Sequence, residues 1–372
     1  MSALANANVA AGAATAGAVA ASAAGGCAVE VGAAQALLAL DGFHAQPGVH
    51  CESGTLRMML AHAGVAHSEA MVFGLGQGLD FVIWPVADAR REMPILSGRS
   101  DSGELVRCYA ANTGVQFRFQ ESTSAEQALE QARAILEEGQ VAGLKLDIFH
   151  LPYFSAKRHF CAHYVALHAL DGEQAWVVDT AQQGGSHRIA LADLARARAS
   201  RAGQQSSDSL SVSVVSTADM RELRAALPGA IAGCARNYLA SSDSTRGQAG
   251  LRTLLGEMPE WWSRFADPAA TIMGIANFWE FAGTGGANFR ALYRQFLCES
   301  QEVLGLDGLA ALLPEAQEVE QGWADCIAGL RASAAAGSEA QLRGTAARFA
   351  ATVEREQALM AGLARLFGEA RP

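Results

Sequence analysis

The sequence predicts an α+β domain followed by an all-helical domain. With 372 residues, the chain is longer than one ordinary hydrophobic core requires, which favours two domains. Helical and strand patterns are mixed over 36–216, whereas nearly every segment of 217–372 has helical periodicity. We therefore expect domains at 36–216 and 217–372, preceded by a flexible Ala-rich tail at 1–35.

The elements of the first domain follow from their local patterns. Apolar residues recur at helical spacing over 51–66, and 79–84 and 116–119 have strand composition. Ser124 is a suitable N-cap for a helix that Gly139 closes. The remaining predicted elements are three strands, a helix and a last strand: VAGLKLDIF, HYVALHAL, QAWVVDT, residues 191–199 and LSVSVV.

The second domain is expected to consist of helices alone. Long stretches such as EAQLRGTAARFAATVEREQALMAGLARLF combine strong helix formers with helical apolar spacing. The segment lacks a fixed-period repeat, which argues against a solenoid. GTGGANF at 283–289 precedes a helix, and its N–H groups could hold an anion. The same glycines also suit a tight corner between two helices.

Composition excludes several classes of protein. Half of the residues are hydrophobic, 18% are charged and the formal net charge is -10, so the chain is globular and unsuited to general nucleic-acid binding. The sequence contains no uncharged apolar run long enough to predict a membrane span. Seven scattered cysteines without a CxxC pair are typical of reduced thiols in the cytoplasm. The first 25 residues carry no Lys or Arg, which argues against a signal peptide.

The stretch QPGVHCESGTLR places Cys51 in the first turn of a predicted helix. A helix N-terminus favours a thiolate over a thiol, because it concentrates free N–H groups and the positive end of the helix dipole. The same N–H groups can hold an oxyanion. Cys51 is therefore a candidate nucleophile, and a small buried core residue is the alternative.

HYVALHALDGEQAWVVDT predicts a β-hairpin that turns at Asp171 and Gly172. His163 opens the first strand and Asp179 closes the second, so counting from the turn places them opposite each other on one face. A carboxylate beside an imidazole fixes its tautomer and stabilises its charged form, as a Cys/His pair requires. His168 is expected to be a core histidine, which is also the alternative for His163.

These residues carry a family resemblance. GVHCESGTLRMMLAHAGVAHSEAMVFGLGQGLDFVIW and the hairpin are similar to the N-terminal domain of the butirosin biosynthesis protein H family. FWEFAGTGGANFRALYRQFLCES resembles the uncharacterised helical domain that commonly follows it. The resemblance spans the chain from about residue 43 onward. It implies a papain-like, C39-peptidase-like cysteine domain with a C-terminal helical domain.

The resemblance also implies acyl transfer in antibiotic biosynthesis. The named member of the family moves an aminoacyl group from an acyl carrier protein thioester onto an amine of an aminoglycoside. Cys51 would accept the acyl group, His163 would act as base and then acid, and Asp179 would orient His163. The implied partners are an acyl carrier protein and a small-molecule amine or hydroxyl acceptor. Phosphopantetheine would arrive on the carrier, so no separate cofactor is expected, and an oligomer is left open.

Three further residues are candidates for binding the substrate or the oxyanion. Papain-like enzymes place an oxyanion-hole glutamine six positions before the cysteine, whereas Gln46 stands five before Cys51. His50 could serve in its place, or could be structural. Tyr153, in the loop FHLPYF, offers an apolar face and a hydroxyl for substrate recognition, or only covers the core.

HFCAH contains a weaker alternative, a zinc site. His159, Cys161 and His163 alternate, so on one strand they would face the same side and could hold zinc. A metal there would compete with His163 as a base, and short motifs of this kind have many false positives. We therefore predict no metal.

The basic pairs at 90–91 and 157–158 are candidates for docking an acidic carrier protein, although solvated surface charge explains them as well. Two other functions remain open at this point. In a cysteine hydrolase, such as a peptidase, amidase or thioesterase, water would replace the acceptor. In a silent binding module, the fold would remain without a reactive Cys51.

Overall fold

An antiparallel sheet organises the first half of the chain. The computed structural model describes residues 36–155, 157–202 and 205–368, and the predicted tail at 1–35 lies outside them. Six strands follow the order β4-β9-β5-β6-β7-β8, β1 pairs with β6, and β2 and β3 form a separate hairpin. The strands are β1 (Leu38–Ala39), β2 (Leu79–Trp84), β3 (Ile95–Arg99), β4 (Gln116–Gln120), β5 (Ala142–Leu146), β6 (His163–Leu170), β7 (Gln174–Val178), β8 (Ser186–Ala190) and β9 (Ser211–Ser216).

Helices cover both faces of this sheet. They are α1 (Cys51–His62), α2 (Glu69–Leu75), α3 (Glu104–Thr113), α4 (Ala125–Glu137) and α5 (Leu191–Ala199). On one face α1 packs so closely that a side chain at Gly143 of β5 would come within 2.7 Å of Met59 Sδ. On the other face α4 and α5 enclose a second apolar cluster with β5, β6 and β7. The observed arrangement is α+β, as predicted.

The second half is helical, which confirms the prediction of a helical C-terminal part. Its helices are α6 (Leu223–Ala240), α7 (Gly247–Glu257), α8 (Trp261–Arg264), α9 (Pro268–Phe281), α10 (Arg290–Leu304), α11 (Asp307–Ala310), α12 (Leu313–Ala336) and α13 (Glu339–Gly368). Phe296 of α10 fills the space left by Gly74 of α2, so the two halves share one core. All described residues belong to one compact unit, and the domain boundary at 216 stays a prediction.

Several predicted helix and strand ends agree with the structure. Ser124 caps α4, Gly139 adopts the left-handed conformation after it, and β2 and α5 have the predicted bounds. The first helix ends at His62, because Gly64 turns the chain with φ +86°, and the prediction that it extends to residue 66 was wrong. None of the helices among the described residues combines the length and hydrophobicity needed to cross a bilayer.

Candidate active site

Cys51 is the first residue of α1, as the sequence predicts. His50 is the N-cap in an extended conformation, and its ring accepts from the Ser53 N–H. The helix behind Cys51 is buried along most of its length, whereas Cys51 itself is partly exposed. The thiol therefore stands on a rigid element and remains accessible to a substrate.

Glu69, the first residue of α2, holds the turn that precedes Cys51. Its Oε2 accepts from the Val49 N–H and its Oε1 from the His50 N–H, both over 2.9 Å. Oε1 also accepts from the Ser53 hydroxyl over 3.0 Å. Gly48 is required beside this carboxylate, since a Cβ there would lie 2.7 Å from Glu69 Oε2. Glu69 is buried, and sequence reasoning missed it.

We expect Glu69→Gln to destabilise the protein and to slow alkylation of Cys51. An amide offers one acceptor oxygen where the carboxylate offers two, so a buried N–H loses its partner at a cost of about 1–3 kcal/mol. Urea unfolding measures this cost, and peptide mass spectrometry after iodoacetamide treatment measures the alkylation. Glu302→Gln, on the exposed surface of α10, is the matched control. Equal stability of the two variants would contradict the role given to Glu69.

His163 connects Cys51 to Asp179. Its Nε2 lies 2.8 Å from Asp179 Oδ2. The Cys51 side chain is close enough to raise the pKa of His163 through its charge and through hydrogen bonding. Because Asp179 occupies Nε2, Nδ1 is the nitrogen left for the sulfur. His163 is buried and Asp179 is almost fully so. The structure thus brings together the three residues that the sequence selected as nucleophile, base and orienting acid.

The charges of this cluster support one another. Burial alone would lower the pKa of His163, but the Asp179 carboxylate and the Cys51 sulfur raise it to about 10. Burial works against ionisation of Asp179, yet the His163 charge and the hydrogen bonds that Asp179 accepts lower the pKa of Asp179. The arrangement favours an imidazolium beside a carboxylate at neutral pH.

The hairpin register differs from the prediction. The turn residues are Gly172 and Glu173, because the Asp171 N–H donates to the Gln174 carbonyl and the Asp171 carboxylate accepts from the Glu173 and Gln174 N–H groups. The strand β6 also bulges at its sixth residue, between Leu167 and Ala169. This register places His163 diagonal to Asp179, so the prediction that they lie directly opposite was wrong. A diagonal neighbour on the same face is still within hydrogen-bonding reach.

His168, the residue in the bulge, is half-buried, whereas the sequence predicted a core histidine. Its ring stacks on Phe43 with centroids 4.5 Å apart, and its carbonyl accepts from the Leu40 N–H. Burial lowers the pKa of His168. It therefore holds the chain before α1 against the sheet.

The two predicted oxyanion residues differ in their surroundings. His50 is buried, its Nδ1 lies 3.0 Å from Ser53 Oγ, and within the described part of the chain its Nε2 has no hydrogen-bond partner. Burial, together with Arg99 and His163, lowers the pKa of His50 well below its ordinary value, so the ring is neutral. Gln46 is exposed, and its backbone carbonyl accepts from the Arg57 guanidinium. Their oxyanion roles stay predictions.

The Tyr153 hydroxyl donates to Asp179 Oδ2 over 2.9 Å. Its ring stacks on His187 with centroids 3.7 Å apart. The Tyr153 hydroxyl thus faces the residue that orients His163, and the predicted substrate contact of Tyr153 stays a prediction.

HFCAH does not form a three-ligand cluster. The strand begins only at His163, while the His159 ring contacts Asp147 and the Cys161 sulfur contacts Ser200 and the Ala202 carbonyl. The alternation that suggested zinc therefore does not apply.

Asp147, His150 and His159 are close enough to suggest a metal site. Asp147, however, already accepts four hydrogen bonds, two on each oxygen. Its donors are the Phe149 N–H, the Phe160 N–H, the His159 ring and the Ser200 hydroxyl. These bonds occupy the lone pairs that a metal would need, so Asp147 is better described as the residue that holds the loop before β6.

A loop of the helical half borders the turn before Cys51. A side chain at Gly285 would come within 3.1 Å of Val49 Cγ2, and the Phe289 ring meets His50 edge-on at 5.1 Å. Ala287, Asn288 and Phe289 all have positive φ, an unusual run for residues other than glycine. GTGGANF is thus a strained corner that lies beside the candidate nucleophile.

Comparison with protein families agrees with this architecture. Residues 50–180 match the family model described as Butirosin biosynthesis protein H, N-terminal. Residues 192–363 match a domain of unknown function (DUF4872). A search of the curated proteins finds no match to the chain. Both domains occur here in the order that the resemblance implies, so the chain has the domain architecture of the butirosin biosynthesis protein H family.

Proposed function

We propose that this protein, which has the domain architecture of a family of biosynthetic enzymes of specialised metabolism, is a cysteine-dependent acyltransferase. The observation that carries the proposal is His163, whose Nε2 lies 2.8 Å from Asp179 and whose pKa is raised by both Asp179 and the nearby Cys51. A nucleophile at the start of a buried helix, packed on an antiparallel sheet that carries the base, also supports a papain-like domain. The donor would be an acyl carrier protein thioester and the acceptor a small-molecule amine or hydroxyl.

In the first half of the reaction, the Cys51 thiolate attacks the thioester carbonyl and a new C–S bond forms. The tetrahedral intermediate expels the carrier thiolate, which takes the proton from His163. In the second half, His163 removes a proton from the acceptor as it attacks the acyl-enzyme, and Cys51 leaves as a thiolate. Because one thioester replaces another, the first half is nearly balanced in energy and depends mainly on positioning.

The first turn of α1 supplies donors for the oxyanion. The N–H groups of Gly54 and Ser53 are already bound to His50, so those of Cys51 and Glu52 are the ones left near the thiol. Donors fixed in this way stabilise charge without reorganisation during the reaction. This assignment needs neither Gln46 nor a charged His50.

The helical half would form one wall of the acceptor pocket. Its loop 283–289 lies against Val49 and His50, next to the nucleophile. Strained backbone is retained where the surrounding structure fixes it, which is often at functional sites. Of the predicted docking pairs, Lys157 donates to the Phe149 and Leu151 carbonyls and so is partly committed. Arg90 and Arg91 are also exposed, and Arg91 pairs with Asp88 over 3.8 Å.

A cysteine hydrolase is the second candidate, because Cys51 is partly exposed and water can reach it. Product analysis separates the two functions. The protein is incubated with an acyl carrier protein thioester and rising concentrations of an amine, and the amide and free acid are quantified. Amide that increases with amine concentration supports the transferase. Free acid as the only product at every amine concentration would assign the hydrolase.

We expect Asp179→Asn to move the alkaline limb of the pH profile to lower pH. Asp179 raises the pKa of His163, so the imidazolium of the native site persists until the pH approaches about 10. An amide has no charge to sustain it, and the imidazolium is then lost at a lower pH. The measurement is kcat/KM against pH. Asp171→Asn, at the turn of the same hairpin, is the control, and an alkaline limb unchanged by Asp179→Asn would contradict the assignment.

A further inference from the structure

Tyr153 ends a chain of contacts that begins at Cys51 and continues through His163 and Asp179. Oδ2 of Asp179 accepts from both the Tyr153 hydroxyl and His163 Nε2, over 2.9 and 2.8 Å. The other oxygen accepts from the Thr180 N–H over 2.6 Å. Asp179 thus receives three hydrogen bonds, and Tyr153 supplies the one that comes from outside the hairpin.

The Tyr153 side chain is held in place. Its ring is parallel to His187, with centroids 3.7 Å apart and an interplanar angle of 4°, and His187 Nε2 is bound to the Gln183 carbonyl over 2.7 Å. The next residue, Phe154, meets the His163 ring edge-on at 5.3 Å. The same short segment therefore contacts both the acid and the base.

The loop that carries Tyr153 is fixed at both ends. Asp147 holds its start through the Phe149 N–H and its end through the Phe160 N–H. Lys157 binds the Leu151 carbonyl over 3.0 Å and so closes the loop across its middle. A hydroxyl on such a loop has a defined position, as a positioning role requires.

A buried carboxylate needs these bonds. Asp179 is 2% exposed, and an ionised group removed from water is costly unless donors compensate it. With one donor fewer, Asp179 is less able to keep a full charge and a fixed orientation. It then stabilises the His163 imidazolium less, and the imidazolium in turn stabilises the Cys51 thiolate less.

We propose that Tyr153 is a positioning residue that keeps Asp179 charged and directed at His163, and thereby sets the fraction of Cys51 present as thiolate. The importance of this role of Tyr153 for catalysis rests on the proposed function. Its test does not, because thiolate content can be measured without an acyl donor.

The test is the pH dependence of Cys51 alkylation in Tyr153→Phe. Iodoacetamide labelling is followed at the peptide level, so that other cysteines do not interfere. At neutral pH we expect labelling of Cys51 to slow by roughly 3- to 10-fold, and its rise to move to higher pH by about half to one unit. His187→Ala, which frees the Tyr153 ring, should shift the profile in the same direction by a smaller amount.

Tyr109→Phe is the matched control, because it also removes a buried tyrosine hydrogen bond, here to His67 Nδ1 over 2.9 Å. This variant should retain the wild-type labelling profile. Melting temperatures are measured for all variants, so that a change in labelling can be distinguished from a loss of folding. A wild-type profile for Tyr153→Phe, or an equal change in Tyr109→Phe, would overturn the proposal.

The double variant Asp179→Asn/Tyr153→Phe tests whether Tyr153 acts through Asp179. If it does, the double variant labels no more slowly than Asp179→Asn alone. Additive losses would show a separate action of Tyr153 and overturn the proposal. If Tyr153→Phe shifts the labelling profile but the protein forms no acyl product, the positioning role of Tyr153 is kept and the proposed acyltransferase function is excluded.

Discussion

Replacing Cys51 with alanine is expected to lower acyl transfer by at least roughly 10⁴-fold, since removal of a nucleophile abolishes the covalent route and leaves only binding and oxyanion stabilisation. The loss should appear in kcat, the rate of product formation at saturating substrate. Stability should change little, because Cys51 is partly exposed and stands at the end of its helix. Turnover with saturating thioester and amine is the measurement.

Cys298→Ala is the matched control. Cys298 is also a partly exposed thiol on a helix, but it lies in α10 of the helical half. It should retain wild-type turnover. If Cys51→Ala kept comparable turnover in folded protein, a different nucleophile or a direct, non-covalent transfer would have to replace the mechanism.

The second large effect is expected on stability, from Arg290→Met. Arg290 is buried and binds both carboxylate oxygens of Glu356, over 2.6 and 3.3 Å, while Trp323 donates to the same group over 2.6 Å. Methionine would leave the Glu356 charge buried without its partner, at a cost of about 3–5 kcal/mol. Arg290 also binds the Asn288 carbonyl, so the loop beside His50 should loosen too. Denaturant unfolding measures the loss.

Arg343→Met provides the comparison, because Arg343 pairs with Glu339 on the exposed surface of α13. Exposed pairs contribute about 1 kcal/mol or less. Adding Glu356→Leu to Arg290→Met should recover part of the lost stability, since it removes the unpaired charge. A loss in Arg290→Met no larger than in Arg343→Met would show that the buried pair does not hold the helical half together.

Much of the fold and the three central residues of the site could be predicted from local sequence. Helix α4 has a strong cap at Ser124 and a closing Gly139, and both act through neighbouring backbone. Cys51 follows a turn and opens a run with helical spacing, which fixes its place at the helix start. Local rules suffice for features that depend on a few adjacent residues.

Features that depend on distant contacts could not be predicted. Glu69 holds the turn before Cys51 from another helix, and no local pattern in SEAM identifies its partners. The predicted hairpin register was wrong for two reasons. The Asp171 side chain stabilises a turn one residue later than predicted, and the bulge between Leu167 and Ala169 shifts the pairing of the strands. The contact between Phe289 and His50 joins the two halves of the chain, and periodicity carries no information about such pairs.

The most direct test of the account is intact-mass analysis of the protein after brief exposure to an acyl carrier protein thioester without acceptor. The account predicts a mass increase equal to the acyl group, located on the peptide that contains Cys51 and lost when an amine is added. Free carrier thiol released from wild-type protein without any adduct on Cys51, under conditions in which amide is formed, would contradict it.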